Sequence, residues 1–115
     1  MFEEAAFMAF TTADLAQVKR FWVTLLGFPI VREDENYLMV DACGFRLCFD
    51  LPDGENHRAP GSDGVIGLQV KDLDAVLAAL GNRGVVAMGP YHDHHGKWAK
   101  LLDPDGRSVI LTERR

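Results

Sequence analysis

The 115-residue chain has no apolar run near the roughly 18 residues a membrane-spanning helix needs. That excludes a helical membrane protein. Cysteine is scarce: only Cys43 and Cys48 occur. On one extended segment their Cα atoms stand roughly 16 Å apart, at about 3.3 Å per residue, beyond disulfide reach. A disulfide scaffold is therefore excluded, and two reduced, semi-buried thiols are expected. Basic charge is also short. Twelve Lys plus Arg face 17 Asp plus Glu, a formal charge of −5, and the basic residues are scattered. No nucleic-acid partner is expected from that balance. The start, Met1-Phe2-Glu3-Glu4, is acidic where a secretory signal is basic and then apolar. The expectation is a cytoplasmic protein that does not engage a membrane.

What is present is an ordinary globular composition, with 48% hydrophobic and 25% charged residues. A single domain over 1–115 is expected. At this length folding buries roughly two-thirds of the unfolded chain's surface, enough for a core without a structural metal. Apolar residues run from Ala5 to Thr11, and Asp14 then caps a helix with the apolar stripe Leu15, Val18, Phe21, Trp22 and Leu25, stopped by Gly27. Strands are expected at Pro29 to Arg32, Tyr37 to Val40 and Phe45 to Leu51, the last two joined by Asp41-Ala42-Cys43-Gly44. The aperiodic polar stretch 52–64 reads as a linker.

The order then repeats. A strand from Val65 to Val70 leads to a helix opened by Asp72, with Leu73, Val76, Leu77 and Leu80 on one side and Gly81 and Gly84 as its stop. Strands at Val85 to Met88, Lys97 to Leu102 and Ser108 to Thr112 close the chain. Asp14, Leu15 and Val18 match Asp72, Leu73 and Val76 at an offset of 58, and the two final hairpins match at an offset of 62. The predicted fold is α+β: two βαβββ modules, 5–51 and 65–115, forming a curled, half-open mixed sheet around a cavity. A helix covers one face of each sheet, and the other face must be covered otherwise.

That duplicated order, with Asp14-Leu15, Leu26-Gly27-Phe28 and the hairpin Asp103-Pro104-Asp105-Gly106, resembles the vicinal oxygen chelate superfamily. Glyoxalase I, extradiol dioxygenases, fosfomycin resistance enzymes and bleomycin resistance proteins belong to it. The resemblance implies that metal-dependent members take ligands seven residues before each helix-opening Asp and four residues after each hairpin Gly. Here those positions hold Phe7, Val65, Cys48 and Ile110. Phe, Val and Ile offer no lone pair to a divalent ion, so no metal and no cofactor are expected. The resemblance further implies a homodimer.

Strand alternation predicts the cavity-facing residues. From those four positions they are Phe7, Ala9 and Thr11; Arg46, Cys48 and Asp50; Val65, Gly67 and Gln69; Ser108, Ile110 and Thr112; and Trp98, Lys100 and Leu102. Aromatic faces from Phe7 and Trp98 suit a planar ligand, while Arg46, Gln69, Lys100 and Ser108 would orient it. The stretch Pro90 to Lys97 reads as a solvated loop at the cavity mouth, from which Tyr91, His92 and His95 would reach the ligand. No Ser/His/Asp order, phosphate-binding Gly loop or carboxylate pair falls on these faces. The first expectation is a metal-free protein sequestering an aromatic or antibiotic-like small molecule. The alternative is a divergent lyase, isomerase or transferase with a non-standard metal site at His92, His94 or His95.

Overall fold

The structure, a computed structural model, describes residues 1–52, 59–60 and 64–114. Most of the expected linker lies outside the described residues. The chain divides into two compact units, Met1–Asp63 and Gly64–Arg115. Each is a βαβββ module built on a four-stranded mixed sheet that does not close on itself. The predicted α+β class is the one that forms. Among the described residues no helix is long and apolar enough to cross a membrane.

In the first unit β1 (Met8–Thr11) leads to α1 (Leu15–Lys19), which runs directly into a π-helical segment, Arg20–Leu25. Three strands follow: β2 (Ile30–Glu33), β3 (Tyr37–Ala42) and β4 (Phe45–Asp50). The sheet order is β1-β4-β3-β2, with β1 parallel to β4 and the rest antiparallel. Asp14 caps α1 by accepting from Gln17 N. The sequence predicts an ordinary helix as far as Leu25, yet the Leu26 and Phe28 amides bond five and six residues back, to Phe21 and Trp22. The widened turn seats the adjacent Phe21 and Trp22 together in the core, where the Trp22 ring lies 5.5 Å from Phe49. Cys43 and Gly44, both at positive φ, make the tight β3–β4 turn, and Asp41 Oδ1 accepts from Gly44 N at 2.6 Å.

The second unit has β5 (Ile66–Val70), α2 (Leu73–Asn82), β6 (Met88–Asp93), β7 (Gly96–Leu102) and β8 (Ser108–Glu113), in the order β5-β8-β7-β6. Asp72 caps α2 through Ala75 N, and Glu113 Oε2 accepts from Leu73 N at 2.9 Å, tying the helix start to β8. The helix continues through Gly81 and ends before Gly84, which sits at φ 86. Leu68, Leu111 and Ala99 stand in register, as do Ile66, Val109 and Leu101, and these two apolar rows make the α2-side core. The β strand expected at Val85 to Met88 is displaced: Val86 is exposed and β6 starts at Met88.

The β7–β8 hairpin turns on a buried ion pair. Asp103 Oδ1 accepts from the backbone amides of Asp105 and Arg107, while Oδ2 accepts from the Arg107 guanidinium. Both side chains are fully buried. Burial pushes the Asp103 carboxyl up, against the pull of these donors and the Arg107 charge. Removing the countercharge leaves a carboxylate stranded in the core. Arg107→Met is therefore expected to lower stability by about 3–5 kcal/mol, read from urea unfolding. A loss of about 1 kcal/mol or less, the level of a surface pair, would show that the pair does not hold this hairpin.

Candidate functional site

In the second unit the face of the sheet turned away from the apolar core rows carries the chemistry. One register row runs Gln69, Thr112, Trp98, Tyr91 across β5, β8, β7 and β6. The next runs Gly67, Ile110, Lys100, Met88, and Ser108 pairs with Leu102 beyond it. Six of the residues singled out from sequence, Gln69, Tyr91, Trp98, Lys100, Ser108 and Ile110, thus share one face. A cavity of about 370 Å³ opens on it, lined by Asp93, His95, Trp98, Ile110 and Thr112.

The stretch Pro90 to Lys97, expected as a loop, is instead the end of β6, a tight turn and the start of β7. Its polar, His-rich composition hides the strand alternation, and pairing with β7 decides the outcome: Tyr91 with Trp98, His92 with Lys97, Asp93 with Gly96. Asp93 makes the turn by accepting from His95 N through Oδ1 at 2.8 Å, with Gly96 at φ 101. The other carboxylate oxygen accepts from Trp98 Nε1 at 2.9 Å. The indole is thereby fixed against Tyr91, ring centroids 4.7 Å apart at 43°. Gly89 makes room for that arrangement: at φ 110, a Cβ there would lie 3.1 Å from the Tyr91 ring.

His92 alternates to the other side of β6 from Tyr91, away from the cavity row. The His94 and His95 rings lie against each other in the turn, centroids 3.9 Å apart and tilted by 43°. Among the described residues no three His, Cys, Asp or Glu side chains come together as a metal-holding group. In the first unit Phe7 precedes β1 and is exposed, and Arg46 is exposed near the β3–β4 turn. Cys48 is buried in register with Ala9 and Met39. Val65 lies just outside β5 and is exposed. Asp93 is the residue that sequence reasoning missed; an Asp two residues before a turn His, with Gly next, is an Asx-turn signal that would have found it.

The family comparison gives the frame for this geometry. A family model described as the Glyoxalase/Bleomycin resistance protein/Dioxygenase superfamily matches residues 5–111. The chain belongs to this superfamily. Among solved structures it is similar to TnmS3, an antibiotic binding protein from Streptomyces sp. CB03234, with 27% identity, TM-score 0.76 and full coverage of both chains. A glyoxalase/bleomycin resistance protein from the same organism shows 29% identity and TM-score 0.71, with 91% of this chain and 96% of that one covered. A bleomycin-binding protein complexed with bleomycin shares the fold at 21% identity and TM-score 0.74, covering 98% of this chain and all of the other.

Catalytic members of the superfamily use a metal ion, and the corresponding residues here do not fit one. Phe7, Val65 and Ile110 have no donor atom. Cys48 has one, but burial and the neighbouring Asp50 carboxylate, 3.7 Å from Sγ, push its thiol up to about 12. At neutral pH it is a protonated thiol, a poor ligand.

Asp93 behaves oppositely. The Trp98 indole N–H, and next the His95 amide, hold its carboxyl below the ordinary 3.8. A depressed pKa means the contact is intact above the ordinary value and lost as pH falls through the depressed one. The Trp98 Hε1 NMR resonance is expected to titrate with a midpoint below 3.8, and this step is expected to vanish in Asp93→Asn. A midpoint at or above the ordinary value would show the carboxylate does not hold the indole.

Proposed function

We propose that this protein is a metal-independent small-molecule binder that sequesters an aromatic, antibiotic-like ligand, acting as a homodimer in the cytoplasm. The observation that carries the reading is the Trp98 cavity: an indole locked in place by Asp93, backed by Tyr91, with Ile110 as apolar floor and Thr112 as hydroxyl. A fixed aromatic wall binds a planar ring at little entropic cost, because its own rotamer freedom is already spent. Gln69, Lys100 and Ser108 lie on the same sheet face outside the cavity lining, Lys100 one register row beyond Trp98, where they would meet polar atoms at the far end of the ligand. The antibiotic-binding and bleomycin-binding proteins of the same fold support the ligand class.

Free thiols at Cys43 and Cys48 fit a reducing compartment. The exposed apolar Ile30, Val31 and Phe45 of the first unit offer surface that a second copy would cover.

Native mass spectrometry and Trp fluorescence against a panel of planar aromatic antibiotics test the reading. One ligand per chain is expected, with affinity unchanged after dialysis against a chelator. Trp98→Ala is expected to weaken binding roughly 10- to 30-fold, as for a buried aromatic anchor. A panel without a single binder, or binding that fails with the chelator, overturns the proposal. On a sizing column the protein is expected near twice its 12.8 kDa mass; elution as a monomer at every concentration removes the homodimer from it.

A further inference from the structure

We infer that the Trp98 cavity selects aromatic ligands that carry a protonated amine, seating the ammonium against the Asp93 carboxylate and the Trp98 ring. The inference rests on the small-molecule reading above and adds the sign of the ligand's charge. Asp93 is the one carboxylate among the residues lining the cavity, and both its oxygens are aimed by N–H donors, His95 N at 2.8 Å and Trp98 Nε1 at 2.9 Å. Each oxygen accepts one of these bonds and keeps a second lone pair for a ligand donor. The Trp98 ring lines the cavity with Asp93, and Tyr91 packs against that ring, centroids 4.7 Å apart; the negative face of such a ring attracts a cation and repels an anion.

The nearby lysines leave that charge in place. Lys97 alternates to the helix side of β7, where its ammonium is 2.6 Å from Asp74 Oδ2 and 4.0 Å from Glu113 Oε2. Lys100 shares the cavity face but sits one register row further on, between Met88 and Ile110, and is not among the lining residues. His95 also lines the cavity, and the His94 ring lies against it, centroids 3.9 Å apart.

Calorimetry on the full chain with three ligands of one ring separates the possibilities: 1-naphthylmethylammonium, 1-naphthylmethanol and 1-naphthoate, at low salt. The ammonium is expected to bind about tenfold more tightly than the alcohol, an ion pair and a cation–π contact acting together, and the carboxylate more weakly than the alcohol. Asp93→Asn is expected to collapse the ammonium's advantage. If the alcohol binds and the ammonium gains nothing, or if the advantage survives Asp93→Asn, this inference is overturned while small-molecule binding stands. If none of the three binds, this inference falls, and the antibiotic panel decides the small-molecule reading. The wild-type series decides alone should the variant misfold.

Discussion

A four-stranded sheet has two faces, and each module of this protein has one helix to spend on them. In the second unit α2 and the apolar rows Leu68, Leu111, Ala99 and Ile66, Val109, Leu101 close one side. The period-two alternation of strands then commits every intervening residue to the opposite side. Trp98, Tyr91, Thr112, Ile110, Gln69 and Lys100 are gathered there by backbone pairing alone, because a slip of one residue would exchange them with the core. The candidate site is the complement of the core, and the same register fixes both.

Alternation explains which side a residue takes but not whether its side chain is held still. For Trp98 that second step belongs to Asp93. An indole on a sheet face has two torsions to settle, and a hydrogen bond from Nε1 to a carboxylate in an adjacent turn settles both. The carboxylate is itself held, through the His95 amide, by the turn that reverses β6 into β7. Position, charge and rigidity of the cavity wall therefore derive from one tight turn.

The sequence made the register legible because Ile66, Leu68 and Val70 alternate with Gly67 and Gln69, Ser108 and Thr112 bracket the apolar Val109-Ile110-Leu111, and the caps at Asp14 and Asp72 marked both helices. The β6–β7 hairpin was illegible for the reverse reason. Pro90-Tyr91-His92-Asp93-His94-His95 has no apolar rhythm, so its strand character comes from pairing with β7 and not from its own composition. Missing that hairpin also concealed Asp93, whose importance depends on Trp98 five residues away coming back alongside it. The π-helical turn at Arg20–Leu25 was likewise invisible, since the spacing of Phe21, Trp22 and Leu25 fits an ordinary helix and only core packing selects the wider one.

The duplication shows how little separates a plain turn from one that orients an indole. In the first unit the β2–β3 turn also has an aspartate, Asp34, whose Oδ1 accepts from Asn36 N at 2.7 Å and Tyr37 N at 3.1 Å. Both bonds go to backbone, so that carboxylate shapes the chain and grips no aromatic ring. At the register position of Trp98 the first unit has Tyr37, opposite Asp50, where the second unit has Trp98 opposite Thr112. A phenol lacks the ring N–H that Asp93 captures, and a second carboxylate stands where a hydroxyl would be. The same backbone thus yields a plain turn in one copy and an oriented indole with an adjacent negative charge in the other. The difference lies in where one carboxylate oxygen finds its donor.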